Sequence, residues 1–290
     1  MVVAGVDIGG TKIAAGRVDG EARVSGAVLL PCRAQEGYEI SLAQVYRAIE
    51  EVLTPDVAGI GICAPGPLNP KTGVVLNPPN LPGWRNVELA RLVTERFGLP
   101  CRLENDANAA GLAEYLFGAA RGYDSVFYVT LSTGVGAGII LDGKIYHGKN
   151  GAAAEGGHVT IDWQSEAVCN CGTPGCIEAL ASGTAIQKRY GMTAEELAGR
   201  VATGDRRAVA ILDEVAEMIA AWLGSVVSLL DPDIIVAGGG VSRIGEPLFG
   251  RLRESVPRRT INQCASQTPI VPAALAENAG ILGAASVMLA

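Results

Sequence analysis

Val-Val-Ala-Gly-Val-Asp-Ile-Gly-Gly-Thr-Lys, residues 2–12, is the stretch that decides how this chain of 290 residues folds. Its β-branched apolar run predicts a strand, and its two glycines predict a tight turn before a second apolar run at 13–18. The same order returns at 125–138, where Ser-Val-Phe-Tyr-Val-Thr-Leu leads into Ser-Thr-Gly-Val-Gly-Ala-Gly. We therefore expect the second half of the chain to echo the first.

Helical patterns alternate with these strands. Ser41 is expected to cap a helix that stops before Pro55, and Asn86 is expected to open another that ends at Gly98. A longer helix is expected over 206–230. Strands that alternate with helices predict an α/β fold, in which ligands bind beyond the carboxyl ends of the strands.

The alanine-rich segment 277–290 is expected to form a final helix. A net charge of −7 argues against a nucleic-acid or anionic-membrane partner, so a small molecule is the expected ligand. The apolar run at the amino terminus has no basic residues before it and carries Asp7, which argues against a signal peptide. No stretch is long and apolar enough to predict a membrane span, and a cytoplasmic location is expected.

The turn at 7–12 carries what a phosphate-binding loop needs. Gly9 and Gly10 let backbone N–H groups approach a phosphate, while Thr11 and Lys12 offer a hydroxyl and an ammonium to its oxygens. Asp7 could hold the shell of a magnesium ion. Short glycine turns are also common in ordinary hairpins, so this stretch alone leaves both interpretations open.

Two further glycine turns favour the phosphate interpretation. Thr133 and Gly134 open the second, and two such hairpins could hold the two ends of a triphosphate. Gly238 and Gly239 follow a later apolar run and would leave open space for a purine. The chain has neither GxxxxGK[ST] nor GxGxxG before a helix, so the sequence indicates neither a Walker loop nor a dinucleotide-binding fold.

One histidine and three cysteines form a candidate zinc site within about two dozen residues. Imidazole and thiolate are the ligands of tetrahedral zinc, and the intervening glycines and proline allow a short loop to fold back on a metal. Small buried cysteines that merely cluster are the alternative. The four candidate ligands are His158, Cys169, Cys171 and Cys176.

Asn105 and Asp106 follow the strand expected at 99–103, at the start of a helix. A carboxylate there could accept the proton of an attacking hydroxyl in phosphoryl transfer. Aspartate is equally common as a helix N-cap, so the residues alone leave both roles open.

Over essentially its whole length, the chain resembles the ROK (repressor, open reading frame, kinase) sugar kinases. The most specific part is Cys-x-Cys-Gly-x-x-Gly-Cys-x-Glu at 169–178, with Glu-x-Gly-His at 155–158 before it. The stretches 7–12, 132–138 and 238–240 are similar to the family's two phosphate motifs and its adenosine motif.

The resemblance implies an α/β protein with a two-domain actin-like ATPase (ribonuclease H-like) fold and a cleft between the domains. A smaller α/β domain is expected over 1–110, joined by the C-terminal helix at about 275–290. A larger α/β domain that carries the zinc loop is expected over 111–274.

The resemblance further implies ATP-dependent phosphorylation of a hexose, glucose first, at its C6 hydroxyl, with Asp106 as general base. The residues expected to bind the sugar are Asn80, Asn105, Asp106, Glu155, His158 and Glu178. The residues expected to bind the nucleotide are Gly9, Gly10, Thr11, Lys12, Thr133, Gly134, Gly238 and Gly239. A structural zinc is expected on His158, Cys169, Cys171 and Cys176, and magnesium at Asp7, directly or through water. A homodimer or higher homo-oligomer is the expected assembly.

Two positions depart from the family's pattern. Gly156 stands where many relatives carry an apolar residue, and Ala137 replaces a frequent glycine in the second phosphate turn. The first is expected to loosen the loop before the metal ligands, and the second puts a methyl group near phosphate.

Other readings remain within the same family and scaffold. An N-acetylhexosamine kinase, acting on N-acetylglucosamine or N-acetylmannosamine, is the main alternative. A sugar-sensing regulator would carry a helix-turn-helix before the first phosphate motif, and Asp7 leaves no room for one. An actin-like ATPase or a carboxylate kinase would not need the cysteine loop.

Overall fold

The computed structural model describes residues 1–275 and 278–290. They form two compact units, of which the first comprises 1–121, 138–153 and 275–290, and the second comprises 122–137 and 154–274. The domain boundaries that the resemblance implies, at 110/111 and about 275, stay a prediction.

The described residues form twelve strands and nine α-helices. The strands are β1 (Val2–Ile8), β2 (Lys12–Val18), β3 (Val24–Pro31), β4 (Val57–Ala64), β5 (Leu68–Asn69), β6 (Val74–Val75), β7 (Cys101–Asn105), β8 (Ser125–Leu131), β9 (Val135–Leu141), β10 (Lys144–Ile145), β11 (Ile234–Gly238) and β12 (Ile270–Pro272). The helices are α1 (Tyr38–Val52), α2 (Leu89–Phe97), α3 (Asp106–Phe117), α4 (Ile177–Ala181), α5 (Gly183–Tyr190), α6 (Ala194–Ala202), α7 (Arg206–Leu230), α8 (Glu246–Ser255) and α9 (Ala279–Leu289).

Two five-stranded sheets share one order of connections. The first is ordered β3-β2-β1-β4-β7 and the second β10-β9-β8-β11-β12. In the first, β1 is antiparallel to β2 and parallel to β4, which is parallel to β7. In the second, β9 is antiparallel to β10, and β11 is parallel to both β8 and β12. This topology confirms the repeat predicted from the two glycine turns.

Helix α9 lies directly on the first sheet because glycines in β1 and β4 leave room for its backbone. A Cβ atom at Gly5 would stand 2.2 Å from the carbonyl oxygen of Ile281, and one at Gly61 would stand 1.9 Å from that of Ala284. Any larger residue at either position would push the helix off the sheet. The predicted helix at 277–290 is thus found at 279–289, and Glu277 lies outside the described residues.

Helix α1 begins at Tyr38, so the prediction that Ser41 caps it is wrong. Ser41 is fully buried, and its hydroxyl donates a hydrogen bond to the carbonyl of Tyr38 at 3.0 Å and accepts one from Nε1 of Trp84 at 2.7 Å. The indole N–H needs a partner in the core, and Ser41 supplies it.

Asn86 does not open α2, which begins at Leu89. Asn86 has a left-handed φ of 51°, and its N–H donates to the carbonyl of Leu76 at 2.8 Å, so it belongs to a turn before the helix. The end at Gly98 and the long helix α7 over 206–230 are confirmed. No helix within the described ranges is long and apolar enough to cross a membrane.

Candidate active site and metal centre

Three parallel strands of the first sheet end at one edge, and several predicted site residues lie there. In the register of the sheet, Asp7 stands opposite Cys63, and Cys63 stands opposite Glu104. Asn105 ends β7, and Asp106 begins α3 directly after it. The fold therefore gathers the candidate magnesium ligand and the candidate base at the carboxyl ends of β1 and β7, the two strands that flank β4.

Asp7 is a largely buried carboxylate with a thiol partner. Cys63 Sγ lies 3.3 Å from Asp7 Oδ1, and burial raises the pKa of Asp7 while this hydrogen bond lowers it. Burial first, and then the nearby carboxylates of Asp7 and Asp106, raise the pKa of Cys63 well above its ordinary value. Cys63 therefore stays protonated and donates to Asp7. A Cβ at Gly280 would lie 2.0 Å from Oδ2, so position 280 has no room for a side chain.

The first glycine turn packs against the loop that carries Asn80. The N–H of Gly9 donates to the carbonyl of Lys12 at 2.9 Å, which closes the turn. A Cβ atom at Gly10 would lie 2.6 Å from the carbonyl oxygen of Asn80. The structure thus places Asn80 beside the predicted phosphate turn, with Thr11 and Lys12 exposed at its tip.

Asn105, and not Asp106, is the N-cap of α3. Its side chain accepts hydrogen bonds from the backbone N–H groups of Ala107 at 3.0 Å and Asn108 at 3.2 Å. Asp106 is the first helical residue, is exposed, and accepts at Oδ1 from the N–H of Ala107 at 2.8 Å. The capping role that aspartate could have taken therefore belongs to its neighbour.

The second and third glycine turns follow neighbouring parallel strands of the second unit. Gly238, at the end of β11, stands opposite Thr130 of β8. Gly239 has a φ of 90°, and a Cβ there would lie 2.4 Å from the carbonyl oxygen of Leu131. Only glycine accommodates both this conformation and this contact, so the third turn rests directly on the end of β8.

Glu178 connects the second glycine turn to the cysteine loop. Its Oε2 accepts a hydrogen bond from the N–H of Val135 at 3.0 Å, and a Cβ at Gly134 would lie 2.5 Å from the same oxygen. Its Oε1 lies 3.5 Å from Sγ of Cys169. The sequence predicted Glu178 only as a sugar ligand, and nothing in the spacing of the residues indicated this contact with the turn.

The four predicted metal ligands come together. Their donor atoms all lie within 4.8 Å of one another; Cys169 Sγ is 3.4 Å from His158 Nδ1, and Cys171 Sγ is 3.7 Å from Cys176 Sγ. A tetrahedral zinc ion with bonds of about 2.1 Å to nitrogen and about 2.3 Å to sulfur separates such atoms by about 3.6–3.8 Å. These residues therefore fit a tetrahedral ion.

His158 presents its two ring nitrogens to different neighbours. Nδ1 faces the cysteines, and Nε2 lies 3.9 Å from Oε2 of Glu155. Nδ1 is thus placed to bind a metal ion, while Nε2 faces the carboxylate of Glu155.

The thiols differ in their readiness to lose a proton. Burial raises the pKa of Cys169 to about 12 and also raises that of Cys176. A hydrogen bond from the backbone of Thr173 lowers the pKa of Cys171 to about 7. A metal ion must therefore displace protons from the two buried thiols to bind.

The two departures from the family's pattern lie in contact with each other. A Cβ atom at Gly156 would lie 3.1 Å from Cβ of Ala137 and 2.9 Å from the ring of Trp222. The methyl group of Ala137 and the indole occupy the space that a side chain at 156 would need. The expectation that Gly156 loosens the loop stays a prediction. The structure adds a steric reason for glycine, because Trp222 and Ala137 fill the space that a side chain at 156 would occupy.

Sequence reasoning missed Glu104 and His147, whose Oε2 and Nε2 atoms lie 2.6 Å apart. Two features of the sequence could have indicated them: His147 is one of only two histidines, and Glu104 directly precedes Asn105. A cavity of about 770 Å³ in the first unit is lined by His147 among others, and its lining includes none of the predicted site residues.

Paired sheets of this topology, with a glycine turn after the first strand of each, define an actin-like ATPase fold. The chain belongs to the ROK family, whose model matches residues 3–290. The ROK hexokinase of Thermus thermophilus superposes with a TM-score of 0.85 at 38% identity, over 99% of this chain and 97% of that one. A ROK family glucokinase from Streptomyces griseus, solved in complex with glucose and AMPPNP, gives 0.83 at 35% identity over 99% of each chain.

Curated relatives of several activities also match. The glucokinase of Thermotoga maritima is 37% identical over 98% of this chain and 96% of its own length. The N-acetylmannosamine kinase of Citrobacter koseri is 32% identical over 98% of each. The xylose repressor of Caldicellulosiruptor bescii is 32% identical over 80% of this chain and 63% of its own.

Proposed function

We propose that this protein is an ATP-dependent sugar kinase that phosphorylates a hexose, glucose first, at its C6 hydroxyl. The observation that carries the proposal is the row of groups at the carboxyl edge of the first sheet. Asp106 stands there as an exposed carboxylate after β7, and Asp7 and the glycine turn of Gly9 and Gly10 stand at the same edge, at the end of β1 on the far side of β4. The similarity to glucokinases along the whole chain supports the same chemistry.

In this mechanism Asp106 accepts the proton of the C6 hydroxyl as that oxygen attacks the γ-phosphoryl of ATP. Thr11 and Lys12 would contact phosphate oxygens, and Asp7 would hold a magnesium ion, directly or through water, which would neutralise charge on the phosphates. Catalysis then rests mainly on positioning and on charge stabilisation. The remaining nucleotide contacts come from Thr133, Gly134, Gly238 and Gly239, and the remaining sugar contacts from Asn80, Asn105, Glu155, His158 and Glu178.

The cysteine loop would hold a structural zinc ion in this proposal. Three thiolates and one imidazole fill all four positions, which leaves none for a reacting water. The ion would contribute to structure, because it would fix the loop that carries His158 and Glu178. His158 Nδ1 faces the cysteines and would bind the ion, Nε2 would be available to a sugar hydroxyl, and Glu178 joins the loop to the second glycine turn.

An N-acetylhexosamine kinase is the second candidate, and the match to the Citrobacter koseri enzyme favours it. The two differ in what surrounds C2 of the sugar. A regulator is third, because the repressor relative is matched over only 63% of its length. Assembly as a homodimer stays a prediction.

ADP release with ATP and magnesium, across a panel of sugars, tests the proposal. We expect glucose to exceed N-acetylglucosamine and N-acetylmannosamine in kcat/KM by at least about tenfold, as a C2 pocket that excludes an acetamido group requires. Higher kcat/KM for an N-acetylated sugar would favour the second candidate. Binding of a sugar without ADP release from any of them would favour the regulator.

A further inference from the structure

Glu104 is a buried carboxylate directly before the residues proposed for sugar binding and proton transfer. Its side chain is 2% exposed, and it is the penultimate residue of β7. A charged side chain is rarely buried to this degree unless polar partners replace the water that it loses. The partners of Glu104 therefore show what its burial serves.

Two of these partners lie on either side of Asp106. Oε1 of Glu104 accepts hydrogen bonds from the backbone N–H of Asn105 at 2.9 Å and from Nδ2 of Asn108 at 3.0 Å. Asn105 precedes Asp106, and Asn108 stands in the first turn of α3. One carboxylate oxygen thus ties the end of the strand to the start of the helix across Asp106.

His147 holds the other oxygen of Glu104. Its Nε2 lies 2.6 Å from Oε2, the distance of an N–H donated to a carboxylate. The residues after His147 are fixed in turn, because Nζ of Lys71 donates to the carbonyls of Gly148 at 2.9 Å and Lys149 at 3.1 Å. A segment distant in the chain thereby sets the position of Glu104.

We propose that Glu104 and His147 are positioning residues for Asp106, an inference that rests on the proposed function. They act through Asn105 and Asn108, which fix the backbone on both sides of Asp106. Loss of the imidazole leaves one oxygen of a buried carboxylate without its donor, and the carboxylate then turns away from Asn105 and Asn108 to find another. The orientation of Asp106 relaxes with them, and proton transfer slows.

Paired substitutions of His147 test this role. His147→Leu removes the donor, whereas His147→Gln keeps an N–H close to the position of Nε2. We expect the leucine variant to lose about tenfold or more in kcat, with KM for ATP and sugar within about twofold, and the glutamine variant to recover most of the loss. Val93→Ala, a truncation in the buried face of α2, is the control and should lower Tm without lowering kcat at 25 °C.

A double-mutant cycle with Asp106→Asn separates positioning from general destabilisation. Once the base is removed, His147→Leu should cause little further loss of kcat, because the group that it orients is gone. Losses that multiply, a normal kcat for His147→Leu, or no recovery with glutamine would each overturn the positioning role. Near-normal turnover of Asp106→Asn would overturn the proposed function as well, whereas its loss beside a normal His147→Leu would overturn the positioning role alone.

Discussion

At the scale of residues, Asp7 and Glu104 differ from the carboxylates of surface ion pairs in how deeply they are buried. Glu104 is buried and Asp7 is partly buried, and each has specific partners, a thiol for Asp7 and an imidazole with two amide groups for Glu104. Pairs such as Arg47 with Glu51 are exposed, and exposed ion pairs contribute about 0–1 kcal/mol. Substitutions at the buried carboxylates should therefore have much larger effects.

The thiols of the cysteine loop predict how metal binding depends on pH. A pKa raised to about 12 keeps Cys169 protonated at pH 8, and Cys176 is raised in the same direction. The pKa of Cys171 is lowered to about 7, so at pH 8 this residue is mainly thiolate and at pH 6 mainly thiol. Because zinc binds thiolates, the thiols should release about two protons per ion at pH 8 and about three at pH 6, and affinity should fall more steeply below pH 7.

Proton release during titration with zinc, followed with an indicator in weak buffer, measures this directly. Cys171→Ser is the matched control, because it removes the thiol whose protonation changes between the two pH values. The difference between pH 6 and pH 8 should shrink in that variant. Equal release at both pH values in the native protein would contradict the assignment.

At the scale of elements, glycines decide how closely backbone meets backbone. Gly5 and Gly61 admit α9 onto the first sheet, and Gly239 rests on the end of β8. Gly156 differs because its neighbours are the side chains of Ala137 and Trp222 and not backbone atoms. Its contact with Ala137 can therefore be tested by substituting both residues.

We predict that Gly156→Ala lowers Tm by a few degrees. The added methyl group would stand 2.9 Å from the ring of Trp222 and 3.1 Å from Ala137, and overpacking of this kind costs about 1–3 kcal/mol. In an Ala137→Gly background the loss should be smaller, because one of the two close contacts is gone. Differential scanning fluorimetry of the four proteins measures the coupling.

Gly199→Ala in α6 is the control, since a Cβ there meets nothing within 4 Å. Alanine is the better helix former, so this variant should keep or raise Tm. Equal losses for Gly156→Ala in both backgrounds would mean that Ala137 and Gly156 do not compete for the same space.

The sequence predicts elements well where local signals suffice. Helix α2 ends at the predicted Gly98, and α7 spans the predicted residues. The predicted helix starts at Ser41 and Asn86 were wrong because both residues have tertiary hydrogen-bond partners. Ser41 bonds to the indole of Trp84, and Asn86 bonds to a backbone carbonyl. No local pattern contains such partners.

In the candidate site, too, local patterns predicted some contacts and missed others. Spacing was enough to predict that His158 and the three cysteines come together, because a short loop brings them there. The link between Glu104 and His147 joins positions 43 residues apart, and it depends on how β7 meets the segment after β10. Only the fold reveals such a pair, although the scarcity of histidine was a signal for it.

At the scale of the whole molecule, the two sheets have one topology, and each unit carries some of the residues proposed for function. The first unit supplies Asp7, Asn80 and Asp106, and the second supplies the cysteine loop and two of the glycine turns. A repeated fold thus provides similar turns for phosphate in both halves, while the sequence between strands supplies what is unique to each.

The central claim, that Asp106 is the base of a sugar kinase, is tested most directly by the turnover of Asp106→Asn with saturating ATP, magnesium and the preferred sugar. Asparagine keeps the shape and cannot accept the proton, so kcat should fall at least about a hundredfold. Calorimetry should find the dissociation constant of the sugar nearly unchanged, and Asp142→Asn, an exposed turn position with a left-handed φ that asparagine tolerates, should keep full turnover. A kcat for Asp106→Asn within about threefold of the native value would contradict the claim.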